Sequence, residues 1–220
     1  MHTRSLIATS QRKMLITIFF TLSTAAAFLA RFRSLYSSYS DAATTSTSLA
    51  ALFMLVFIAQ WTAKDISSGL AARIIYANSD RTKFLGHRIA LAVLLSVTVS
   101  VMYSLLSVVA SGEFTLGGLV EAIIKSFLVV CFYSILTMTV ALFINSSTFS
   151  ILATLSLLLL PELLLPQLLT SPEKLLLIFP ETHVSSLLDG DSVAASTIYL
   201  IAAGFLCILA SLFRMKRIHF

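Results

Sequence analysis

Charge is what this chain has least of: Asp, Glu, Lys and Arg make up 11% of its 220 residues, where a soluble domain carries about 25%. A surface that faces water on all sides is thereby excluded. Cysteine is scarce as well. Cys131 and Cys207 both stand inside apolar runs, so a disulfide scaffold is excluded and both are expected to be small core residues. Glycine is sparse at seven residues, and no G-x-x-x-x-G-K-[ST] loop occurs to cradle a phosphate. If ATP drives this protein, the ATPase is a separate chain. There is no H-E-x-x-H and no G-x-S-x-G, and the four histidines, His2, His87, His183 and His219, lie far apart. No catalytic residue, metal ligand or bound cofactor is expected, although Ser and Asp residues on different helices leave an intramembrane enzyme as one alternative.

What is present is hydrocarbon. Apolar residues make up 58% of the chain, and the mean hydropathy is +0.96. Crossing roughly 30 Å of hydrocarbon takes about 17 to 25 apolar residues in a helix. Alternating ten-residue strand patterns are absent, so an all-α membrane bundle is expected rather than a barrel. Six spans can be drawn, at about 14–30, 49–63, 89–110, 122–144, 149–169 and 193–213, forming a single transmembrane domain over residues 1–220. The first has a competing reading as a secretory signal, since basic residues precede it and small residues follow in "STAAAFLA". The run leads directly into Arg31 and Arg33, which suits a retained span.

Basic residues are unevenly shared between the two sides. Arg4, Arg12, Lys13, Lys64, Arg73, Arg81, Lys83, Arg88, Arg214, Lys216 and Arg217 fall on the side of the amino terminus, against Arg31, Arg33 and Lys174 opposite. By the positive-inside rule both termini are expected in the cytoplasm of a cell whose inner, or plasma, membrane holds the protein. This also accounts for the formal net charge of +5 without a nucleic-acid partner. Glu121 and Lys125, four apart, are expected to pair at the outer edge. Trp61, Tyr36, Tyr39 and Tyr199 read as interfacial belt residues, and "NSST" from Asn145 to Thr148 as a tight reversal.

All four prolines fall between Pro161 and Pro180. Each removes a backbone donor and disfavours helix in the residue before it. Residues 161–191 are therefore expected as short apolar pieces, either a re-entrant hairpin between the fifth and sixth spans or a surface loop with interfacial leucines. Glu162 lies in this stretch. An intramembrane carboxylate is costly, and this one is expected to line a substrate path or to support the hairpin by accepting donors freed around the prolines.

The longest stretch with charges of both signs is "KDISSGLAARIIYANSDRTKFLGHR", from Lys64 to Arg88. Ile66, Leu70, Ile74 and Ile75 give one side of a short amphipathic helix. Asp65 suits the positive end of its dipole, and Ser79 or Asp80 is placed to cap a second helix after the break at "ANSD". The order of Asp65, Gly69, Arg73, Arg81, Gly86 and Arg88 resembles the cytoplasmic loop of ABC-2 type transporter permeases. That family often has Glu at the first position and Pro before the Ser-Arg pair, where this chain has "NSDR". The likeness extends to six spans, a hairpin before the last span and a basic tail, "FRMKRIHF".

The resemblance implies that loop 64–88 carries a coupling helix docking on an ABC ATPase, with ATP and Mg bound by that partner and two ATPase subunits per complex. It also implies a homodimer, or a pair with a sister permease, and export of a hydrophobic or amphipathic substrate such as a peptide or bacteriocin, a drug or a lipid-linked molecule. The rival expectation is a polytopic membrane protein without transport activity, such as an assembly factor.

Overall fold

The computed structural model describes residues 39–67, 81–111, 115–168 and 176–217. They form α1 (Tyr39–Ser67), α2 (Arg81–Ser111), α3 (Leu116–Ile144), α4 (Ser147–Leu168), α5 (Pro180–Asp189) and α6 (Val193–Arg217), with no strand among the described residues. Helices α1, α2, α3 and α6 are long and apolar enough to cross a membrane. The span expected at 14–30 lies outside the described residues.

Helix α1 begins ten residues before the expected span. The stretch "YSDAATTSTS" is polar, yet its hydroxyls bond back to the helix: Thr45 donates to the Asp41 carbonyl, Ser46 to that of Ala43 and Ser48 to that of Thr44. Ser and Thr satisfied in this way cost a helix little. The buried residues of α1 fall in two rows four apart, Ala42, Ser46, Ala50, Met54, Ile58 and Thr47, Ala51, Leu55, Ala59, Ala63. Such rows are the ridges that pack into a neighbour's grooves, and their small members let backbones approach closely where lipid supplies no hydrophobic drive.

Helix α3 is the axis of the bundle, since it touches every other described helix. Its middle is buried almost continuously, through Val129, Val130, Phe132, Tyr133, Ser134 and Ile135. Thr115 caps its start by accepting from the Gly118 N–H at 3.3 Å. Asn145, left-handed at φ 56°, ends it with its N–H on the Ala141 carbonyl, and α4 begins two residues later at Ser147, the tight reversal expected there. Interhelical hydroxyl bonds join α3 to its neighbours: Ser134 meets Ser96 of α2 at 3.2 Å, and Thr139 meets Ser211 of α6 at 3.0 Å. The outward faces stay apolar, with Leu94, Ile198 and Phe205 each about three-fifths exposed, as a lipid-facing surface requires. Cys131 and Cys207 are free thiols, half-buried rather than fully enclosed.

The proline-rich stretch departs from expectation in its first half. Pro161 and Pro166 lie inside α4, which continues to Leu168. Each removes one donor from the ladder, and the helix continues through both positions. The second half does fold into a short piece. Pro180 opens α5 at its first position, where a missing N–H costs nothing, and Gly190 closes it at φ 89°, a conformation open to glycine at no steric cost. Ser192 is also left-handed, and the two bends turn the chain into α6.

Helix α5 then folds back along α6. Tyr199 donates to the Ile178 carbonyl, and the His183 ring stacks on Tyr199 at 3.9 Å between centroids. Ten residues reach about 15 Å, half of a bilayer's hydrocarbon core, so α5 is too short to cross. Val184 and Leu187 bury its inner side. Because Leu187 is 0% exposed, Leu187→Ala is expected to cost about 2–5 kcal/mol in chemical denaturation of the detergent-solubilised protein. Ile198→Ala, on a lipid-facing position, is expected to change it little.

Candidate functional site

Two helix ends meet where the chain leaves α1 and re-enters at α2. Asp65 lies in the last turn of α1 and is 7% exposed. This corrects the expectation that it begins a new helix. A carboxylate there is close to the negative end of its own helix dipole, and Arg88 is the eighth residue of α2, at the start of its third turn. The two charges form an ion pair with each other.

The pair is built from two matching turns. Trp61 precedes Asp65 by four on α1, and Phe84 precedes Arg88 by four on α2, so each charge shares a face with a ring. The guanidinium carbon lies 4.1 Å from the centroid of the Trp61 ring and 5.2 Å from that of Phe84, within cation–π range. Trp61, expected as a belt residue, thus holds a cation. Thr62, Ile66, Leu85, Met138 and Leu142 complete an apolar floor. With side-chain exposures of 15% for Arg88 and 10% for Asp65, the pair is shielded enough for its geometry to matter.

The same end of the bundle collects the positive charge. Lys64 ends α1, Arg81, Lys83 and Arg88 open α2, and Arg214, Lys216 and Arg217 end α6. Arg214 Nε donates to the Leu142 carbonyl at 3.4 Å, which fixes the end of α6 to the end of α3. At the opposite end stand Asp41, Glu121, Asp189 and Asp191, with Lys125 as the one basic residue there among the described residues. Lys125 and Glu121 pair at 2.8 Å, as their spacing led us to expect.

Of the residues that resembled the coupling loop, the structure brings Asp65 and Arg88 together. Arg81 is the first residue of α2. Gly86 sits in the helix with open space where a side chain would be, so no close approach requires glycine there. Gly69 and Arg73 lie outside the described residues, as do Ser79 and Asp80 and most of the expected amphipathic face. Glu162 stands in the second half of α4, about 22 Å along the helix from its start at the basic end, and its side chain lies outside the described residues.

A partly buried carboxylate was passed over by the sequence reading. Tyr133, 7% exposed at the middle of α3, donates to Glu181 Oε2 at 2.5 Å. Glu181 follows Pro180 directly, a Pro-Glu start that marks the first turn of a helix. That signal identified α5 but not its depth. Depth follows from two contacts: Gly190 lies beside Lys125 and Glu181 beside Tyr133, eight residues or about 12 Å further along α3.

No family model, curated protein or solved structure matches this chain. The site is therefore characterised by its own geometry: a locked pair of helix ends bracketing residues 68–80 at the basic end of a helical membrane bundle. Arg88→Ala is expected to cost about 3–5 kcal/mol by stranding a buried carboxylate. The double variant Asp65→Leu with Arg88→Met is expected to cost much less than the sum of the two single changes, as read in a double-mutant cycle of detergent unfolding.

Proposed function

We propose that this chain is the membrane-spanning permease subunit of an ATP-driven exporter of the ABC-2 type. The observation that carries the reading is the Asp65–Arg88 pair at the root of residues 68–80. A handle through which a partner moves a helix bundle needs stiff roots, because a slack joint absorbs displacement before it reaches the helices. The ion pair, with Trp61 and Phe84 against the guanidinium, supplies such a root. In this reading the basic end faces the cytoplasm, Gly69 and Arg73 belong to a coupling helix that docks on an ABC ATPase, and the ATP and Mg belong to that ATPase.

Two permease chains, this one twice or with a sister, enclose the path between them and bind two ATPases. Closure of the ATPases on nucleotide pulls both handles and biases the bundle between inward and outward access. The chain contributes six spans, the first at 14–30, and α5 is one arm of a re-entrant hairpin at the outer side. The apolar outward faces of the described helices suit a hydrophobic or amphipathic substrate such as a peptide, a drug or a lipid-linked molecule.

The test is purification from the native membrane, identification of bound ATPases by mass spectrometry, and nucleotide turnover of the complex. An ABC ATPase at two copies per complex is expected, with turnover stimulated by amphipathic peptides or lipids. Arg73→Glu is expected to lower ATPase association at least about tenfold by reversing a charge at the interface, while leaving the fold of the chain intact by circular dichroism. Recovery of a folded chain with no ATPase, or association unchanged by Arg73→Glu together with Asp65→Lys, would reject the coupling reading in favour of a membrane protein without transport activity.

A further inference from the structure

At the basic end of the bundle positive charge far outweighs negative. Asp65 is the one carboxylate there among the described residues, and Arg88 holds it. Lys64, Arg81, Lys83, Arg214, Lys216 and Arg217 leave that end with a large positive excess. Two of them, Arg214 and Arg217, belong to the lipid-facing side of α6. Ile201, Phe205, Leu209 and Phe213 form a row four apart on that helix, each between 44% and 59% exposed. Arg217 is the next step of the row. It therefore stands on the face that meets hydrocarbon, one turn beyond the last ring.

Both guanidiniums are held in position. Helix side chains lean toward the preceding turn, and Arg217 follows that direction back over Phe213, its guanidinium carbon 4.2 Å from the ring centroid. Arg214 lies 5.5 Å from the centroid of Phe143 at the end of α3, and its Nε donates to the Leu142 carbonyl at 3.4 Å. A ring face steadies a cation without using its N–H donors. Arg214 therefore commits Nε alone and Arg217 no donor at all, and neither meets a carboxylate among the described residues. Three apart on one helix, their Cβ atoms stand about 5–6 Å from each other. One tetrahedral anion can be reached by both forks.

We propose that the end of α6 binds one anionic phospholipid of the adjoining leaflet, its phosphate between Arg214 and Arg217 and its acyl chains along the row from Phe213 back to Ile201. The placement selects a lipid over a protein partner: the Arg217 guanidinium folds back onto a ring of the hydrocarbon-facing row, at the level of headgroups, instead of projecting from the helix end into water. Charge selects the kind of lipid. An ethanolamine headgroup would bring its ammonium against Arg214, Lys216 and Arg217, whereas a headgroup of net negative charge meets only attraction. The proposal depends on the membrane class of the chain and not on the transport reading.

The experiment is native mass spectrometry of the full chain in detergent micelles, titrated with dihexanoyl phosphatidylglycerol. One molecule per chain is expected, bound at least about fivefold more tightly than dihexanoyl phosphatidylethanolamine. Arg217→Gln, which breaks no hydrogen bond among the described residues, is expected to weaken binding about tenfold with an unchanged circular dichroism spectrum. Phe213→Leu keeps the apolar contact but frees the guanidinium, and a loss of a few-fold is expected. Lys64→Gln removes the same charge from the same end on another helix and is expected to leave binding within about twofold. An equal loss in Lys64→Gln and Arg217→Gln would mean diffuse attraction and overturn the proposal. So would phosphatidylethanolamine binding as tightly as phosphatidylglycerol, or soluble glycerol 3-phosphate binding as tightly as the lipid. Lipid binding unchanged by Arg217→Gln, with a co-purifying protein released by it, would assign the surface to that protein and reject the lipid.

Discussion

Hydrocarbon offers no hydrogen bonds, and that constraint shapes this molecule more than any single contact. Every backbone group in the bilayer must be satisfied within its own helix or by a neighbour, which restricts the chain to helices and forces polar side chains inward. The serines and threonines obey it in two ways. Some bond back to their own helix, as Ser96 does to the Ala92 carbonyl at 2.8 Å and Thr154 to that of Ser150 at 2.8 Å. Others also reach across, as Ser96 does to Ser134 and Thr139 to Ser211. Ser100, Ser126, Thr137 and Ser196 do neither among the described residues, and their value to the bundle is their small size where helices close on one another.

The same constraint sorts the charges. Those that remain are driven to the two ends of the bundle, and the few that intrude are tied. Arg88 is held by a carboxylate and two rings, and Glu181 by a phenol. Each arrangement exchanges the water a charge has lost for fixed partners, which is why breaking one partner is expected to be worse than removing both. The result is a molecule with chemically distinct ends: a basic one whose helix termini are locked together, and an acidic one.

How much of this was legible in the sequence depends on what each feature needs. Composition and run length were enough for a helical membrane class, and α2, α3, α4 and α6 start or end within a few residues of the expected bounds at several of their termini. The start of α1 was hidden because hydropathy does not register hydroxyls that bond to their own helix. Pro161 and Pro166 were expected to break α4, yet the helix runs through both, since prolines are tolerated in membrane helices where neighbouring groups satisfy the freed backbone. Asp65 and Arg88 were singled out by spacing along a loop, yet their pairing across two helices is a tertiary fact that spacing does not contain. Glu181 was legible only as a helix start, because its depth depends on α5 folding back along α6.

Helix α5 also has a place in time. A segment of ten residues is too short to span a bilayer, and alone it has no partner for Glu181. The groups that receive it, Tyr133 on α3 and Tyr199 on α6, belong to helices on either side of it in the chain. Since α6 is made after α5, the seat is incomplete until synthesis has passed Tyr199. The seat of α5 is therefore complete only when the long helices on both sides of it stand together.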